Sequence, residues 1–109
     1  MSLIQKSISV DHLAAEELIK RRRLQLLVHS AIYYQFNDNL ISDQQWSKWA
    51  QELVDLQKEY PDVASATIYS KEFSDFDPST GYNLPFGNPN IQKTAMQLLQ
   101  YHYTNIKGG

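Results

Sequence analysis

Tyr33, Tyr34 and Phe36 stand shortly before Asp43, and Trp46, Ser47 and Trp49 follow it closely. Aromatic faces stack on flat heterocycles, and a neighbouring carboxylate accepts hydrogen bonds from hydroxyl or amide groups, so this set suits holding a flat ligand. The same residues also suit a core, in which one tyrosine and both tryptophans fill the interior and Asp43 supports the positive end of a helix. Tyr33 and Tyr34 lie about 100° apart on a helix and are not expected to face one neighbour. Motifs for bond making are missing: no Ser-His-carboxylate nucleophile motif, no glycine-rich phosphate loop and no HExxH metal signature occurs. Asp75, Asp77 and Ser79 begin like a calcium loop, but Thr80 stands where glycine is required and Phe86 where a bidentate glutamate is required.

The elements that must position these residues follow from periodicity. Leu13, Leu18, Leu24, Leu27, Ala31 and Ile32 recur at helical spacing, which predicts a long helix with Asp11 as N-cap that fades near Asn37. Glu16 with Lys20 and Glu17 with Arg21 place acid before base at i,i+4, for about 0.2–0.5 kcal/mol each. After the turn Asp38-Asn39-Leu40-Ile41, Ser42 and Gln45 have capping-box spacing. A second helix is expected there, with Trp46, Trp49, Ala50, Leu53 and Leu56 as its stripe, stopped at Tyr60 by Pro61. Residues 11–61 thus read as an antiparallel helical hairpin.

Residues 62–88 read as an irregular segment, in which Val63 to Ser74 suits a short strand or an irregular helix. Within it, Asp77-Pro78-Ser79-Thr80-Gly81 has turn composition, with Pro78 setting φ and Gly81 supplying a permissive position. Asn88 followed by Pro89 opens a C-terminal helix over 89–104, carrying Ile91, Ala95, Leu98 and Leu99, able to cover the hairpin. The tail Lys107-Gly108-Gly109 is expected to fray.

Composition bounds the rest. A chain of 109 residues, 42% hydrophobic, fits one mostly α domain with one core. A net charge of −2 offers no global attraction for nucleic acid. The run Lys20-Arg21-Arg22-Arg23 spreads its charges around the helix and is expected to be a solvated face, not a phosphate-binding stripe. Without cysteine, a signal-peptide pattern or a membrane-length apolar run, the expected setting is the cytoplasm, with no membrane partner.

The stretch from His29 through Tyr33-Tyr34-Gln35-Phe36 to Ile41-Ser42-Asp43, continuing through Trp46, Leu53 and Glu59-Tyr60-Pro61-Asp62, resembles domain Ia of NAD-dependent DNA ligases. The likeness runs over residues 18 to 63 without a gap, and is closer still to small stand-alone ligase-like proteins of phages and prophages. In the ligases this domain grips the nicotinamide mononucleotide half of NAD. The resemblance implies contacts from Tyr33 and Asp43, which match the family residues. It implies altered contacts from Tyr34 (histidine in the family), Trp46 (tyrosine) and Ser47 (aspartate). None of the lysines sits in the K-x-D-G motif that ligase chemistry requires, so an enzyme is not expected.

Two functions of different class follow. One is a non-catalytic accessory protein of a phage or prophage, in a bacterial host cell, acting through a protein partner or self-association via the hairpin's aromatic end or the Phe76 to Phe86 segment. The departures at Tyr34, Trp46 and Ser47 lean that way. The other is a binder of nicotinamide mononucleotide, NAD or a related nucleotide, which requires Tyr33, Tyr34, Asp43 and Trp46 to line one open pocket.

Overall fold

The computed structural model describes the backbone of residues 2–108 and the side chains of residues 11–104. It is mostly helical, with no strand among the described residues: α1 Ser2–Gln35, α2 Asp43–Glu59, α3 Pro61–Ala66 and α4 Pro89–Gly108. None of these helices is long and apolar enough to cross a membrane.

α1 is the hub, packing against each of the other helices. It starts well before Asp11, which lies on its exposed surface and is not an N-cap. The stretch ahead of Asp11 contains neither proline nor glycine, so nothing stops the helix there. The helix ends where Asn37 turns into the left-handed region at φ 53°, a conformation asparagine tolerates. Asp38 N–H then reaches back to the Ile32 carbonyl at 3.1 Å.

α2 begins as its sequence predicts. Ser42 Oγ accepts the Gln45 N–H at 3.0 Å, so Ser42→Ala is expected to cost about 1 kcal/mol of stability. A urea midpoint unchanged by that substitution would show that the cap contributes nothing. The helix stops at Tyr60 ahead of Pro61, but the chain re-enters helix at once, with Pro61 opening α3. Proline is well placed in a first turn, where its missing N–H has no partner to lose. Part of the segment expected to be irregular is therefore α3, and no strand forms in it.

Pairings along the hairpin run in opposite directions, Arg22 with Glu52 and His29 with Trp49, which makes α1 and α2 antiparallel. The ion pair formed among the described residues is this Arg22–Glu52 contact at 2.8 Å, between helices. The intrahelical pairs of Glu16 and Glu17 do not close. The core comprises Ile19, Leu26, Leu27, Val28, Ala31 and Ile32 of α1, Ala50 and Leu53 of α2, Ala64 of α3, Phe73 and Leu84 of the connecting segment, and Ile91 and Ala95 of α4. Leu13, assigned to the apolar stripe by spacing, is instead 63% exposed.

Arg23 overturns the reading of the basic run as a solvated face, since it is only 1% exposed. Its Nη1 donates to the carbonyls of Thr67 and Ile68, at 3.0 and 2.9 Å, and Nη2 donates to that of Ala64, at 2.8 Å. Nε and Nη2 also donate to Gln57 Oε1. The guanidinium thus satisfies carbonyls at the end of α3 that would otherwise be orphaned in the interior. Burial pulls its pKa below the ordinary value, opposed by the charge of Glu72. Just beyond, Tyr69 adopts φ 69°, so Arg23 grips the chain where it reverses.

α4 opens as expected, with Asn88 Oδ1 accepting the Asn90 N–H at 2.8 Å. It runs to Gly108, past the expected end at 104, so Lys107 and Gly108 are helical; Gly109 lies outside the described residues. It covers the hairpin from one side, packing on α1 and not on α2. Gln92 donates to Gln35, and the Tyr103 hydroxyl donates to Asp38, tying α4 to the end of α1 and the turn after it. The Tyr103 bond, chiefly, holds the Asp38 carboxyl below its usual range.

Candidate functional site

Three pieces of chain surround a half-open cavity of about 300 Å³. The last turns of α1 supply His29, Ser30, Tyr33 and Tyr34. The loop and start of α2 supply Asn39 to Asp43, with Trp46 and Ser47. The turn Ser79-Thr80-Gly81 closes the third side. Each of the residues singled out from the sequence, Tyr33, Tyr34, Asp43, Trp46 and Ser47, lines this one cavity. Capping geometry explains the α2 wall: with Ser42 as N-cap, Asp43, Trp46 and Ser47 fall in the first turns at i, i+3 and i+4, on one face.

Tyr33 and Tyr34 both line the cavity despite their angular separation. Their rings meet edge to face with centroids 4.9 Å apart. Tyr34 is committed to packing, lying nearly parallel to Phe86 at 5.4 Å and meeting the edge of Tyr82 at 5.5 Å. Tyr33 is 52% exposed and keeps more of its ring free. Trp46 is half-buried, meeting Phe76 at 6.2 Å on one side. Trp49 takes no part in the cavity wall; His29 packs against it at 5.6 Å and the Arg22 guanidinium lies over its ring at 5.7 Å. Of the two tryptophans, then, one packs between elements and the other faces the cleft.

Two lining residues, His29 and Ser30, were missed by the sequence reading, and their polar atoms lie behind the accessible wall. Ser30 is 2% exposed and its Oγ has no hydrogen-bond partner, nor has the buried Nδ1 of His29. Burial pushes the His29 imidazole below its ordinary pKa, so it is neutral at pH 7. The signal for both was present: His29 and Ser30 stand four residues before Tyr33 and Tyr34, and thus on the same helix faces. The turn at 79–81 could not be placed from spacing. It has the expected turn chemistry, Asp77 Oδ1 accepting from Ser79 N at 2.9 Å and Ser79 Oγ at 2.7 Å, and these bonds hold the Asp77 carboxyl below its usual range. Gly81 is not at positive φ, however. Its role is space: a Cβ there would overlap Ser30 Oγ and sit 2.9 Å from Trp46 Cζ2.

Among the cavity-lining residues Asp43 is the one carboxylate, and there is no lysine or arginine. Among the described residues no cluster of histidine and carboxylate side chains could hold a metal ion. The lining brings aromatic rings, uncharged hydrogen-bonding side chains and one carboxylate around one cavity, which suits a flat polar group. No protein-family model matches this sequence, and no curated protein or solved structure is significantly similar to it.

Proposed function

We propose that this chain is a non-catalytic binding module whose cleft between α1 and α2 takes a flat aromatic ligand. The lead ligand class is nicotinamide mononucleotide or NAD. The observation that carries this reading is the convergence of Tyr33, Tyr34, Asp43, Trp46 and Ser47 on one open cavity, with Trp46 free of α4. A volume of about 300 Å³ is at the small end for a ligand pocket, which suits one heterocycle and its sugar. The ligand class itself rests on the resemblance to ligase domain Ia, as does an accessory role in phage or prophage biology. Titration calorimetry with nicotinamide mononucleotide and NAD tests it. Saturable micromolar binding, weakened at least tenfold in Asp43→Ala through loss of a charge-assisted acceptor, is the expected result. No heat from the wild-type protein at millimolar ligand would rule the reading out.

A second reading, docking of a protein partner or a second copy, is supported by the aromatic rim. Tyr33 and Tyr82, 52% and 67% exposed, flank Tyr34 and widen the cleft into an aromatic surface of the kind enriched at interfaces.

A further inference from the structure

The charges at the cavity are of one sign. Asp43 is the one carboxylate among the lining residues, no lysine or arginine joins it, and the His29 imidazole is neutral. Two more carboxylates are bonded to lining residues: Asp38 Oδ1 accepts the Asn39 N–H at 2.8 Å, and Asp77 Oδ1 accepts from Ser79 Oγ at 2.7 Å. Lys48 follows Ser47 in sequence but is not part of the wall. A cavity lined in this way carries a negative potential, which repels phosphate and carboxylate groups and draws in cations.

The rest of the wall decides which cation. Tyr33, Tyr34 and Trp46 all line the cavity, Tyr33 with 52% of its surface open. Aromatic rings attract cations, and most characteristically those whose charge is spread over alkyl groups. A primary ammonium, by contrast, needs an acceptor for each of its three N–H donors. Three hydroxyls of the wall are already engaged: Ser42 Oγ accepts the Gln45 N–H, Ser79 Oγ donates to Asp77, and Thr80 Oγ1 accepts the Tyr82 N–H. One carboxylate on one side of a cavity balances a charge but does not face three donors at once. A fully alkylated nitrogen has no donor to leave unmade. Resting on the reading of the cleft as a ligand site, but not on the nucleotide class, we propose that it binds small quaternary ammonium compounds. Asp43 balances the charge, and Tyr33, Tyr34 and Trp46 supply the aromatic wall.

The test follows the backbone amide NMR signals while the protein is titrated with choline, with its uncharged isostere carrying tert-butyl in place of trimethylammonium, and with ethanolamine. Choline should bind saturably, with shifts concentrated at residues 39–47 and 79–81, and at least about tenfold more tightly than either comparator. Asp43→Asn keeps the shape of the side chain and removes its charge, so the preference for choline over the isostere should fall to under about threefold. Tyr33→Leu, at an exposed position, should weaken choline at least about threefold. No saturation by choline below about 10 mM would overturn the inference. So would an isostere or ethanolamine that binds as well as choline, a preference unmoved in Asp43→Asn, or an affinity unmoved in Tyr33→Leu. Nicotinamide mononucleotide separates this from the wider reading: its binding where choline fails would overturn the quaternary ammonium proposal and leave a ligand site in place. Choline binding where the mononucleotide fails would support the proposal and confine the loss to the nucleotide class.

Discussion

Replacing Arg23 by methionine is expected to cost about 3–5 kcal/mol, the largest single-site loss in the chain outside the apolar core. Methionine has similar bulk but no donors, so the carbonyls of Ala64, Thr67 and Ile68, and Gln57 Oε1, would lose the donors they have in the interior. Each buried acceptor left unpaired costs about 1–3 kcal/mol, offset where water can follow it in. Gln57 transmits the loss, because its Nε2 donates in turn to the Phe73 carbonyl at 3.3 Å. Lysine should restore only a part, since one ammonium cannot reproduce the planar fork that spans these acceptors. Against a total of about 5–15 kcal/mol for a typical domain, that loss is a large fraction of the whole, and the urea midpoint of Arg23→Met should fall steeply. Urea denaturation followed by tryptophan fluorescence measures this. A loss below about 1 kcal/mol would mean that the α3 carbonyls find other partners.

Gly81→Ala should both destabilise the protein and disrupt one wall of the cleft. Because Gly81 has negative φ, alanine carries no dihedral penalty, and the whole effect comes from the collision of the new methyl with Ser30 and Trp46. Ser30 is fixed on the most buried stretch of α1, so the turn must move instead; overpacking of this kind costs about 1–3 kcal/mol. Ligand affinity should fall more than about tenfold, since Ser79, Thr80 and Gly81 form one wall of the cavity. Gly87→Ala is the internal control: its Cβ would meet only Gln35 Nε2, at 3.8 Å, and should change stability by less than about 0.5 kcal/mol. Adding Ser30→Ala to Gly81→Ala should recover part of the stability, a coupling that a double-mutant cycle would measure. Equal effects at Gly81 and Gly87 would show that contact with Ser30 and Trp46 is not what matters.

The hairpin was legible because its determinants are local. Ser42 with Gln45, the stripe from Trp46 to Leu56, and the stop at Pro61 all act within a turn or two of helix, and each stands where spacing put it. The start of α1 was misread because a good N-cap residue is a cap only if the helix has reason to begin there, and Asp11 has helix-compatible residues before it. Arg23 was misread for a different reason. Four consecutive charges suggest solvent, but consecutive positions point around the helix, and one of them had to point inward; which one depends on carbonyls more than forty residues later. The site shows the same division. Its α1 and α2 walls follow from residues close in sequence, whereas Gly81 belongs to it only because Phe73 and Leu84, on either side of the turn, are drawn into the core.

The way α4 joins the molecule has a kinetic consequence. It touches α1 but not α2 and contributes no residue to the cavity wall, so beyond Ile91 and Ala95 in the shared core and its ties to Gln35 and Asp38 little holds it to the rest. Its amides should therefore exchange with deuterium through a local opening of lower free energy than the one that exposes the middle of α1. Under mild denaturant the chain would then come apart in two stages, the C-terminal helix first and the hairpin with its Arg23 clasp afterwards.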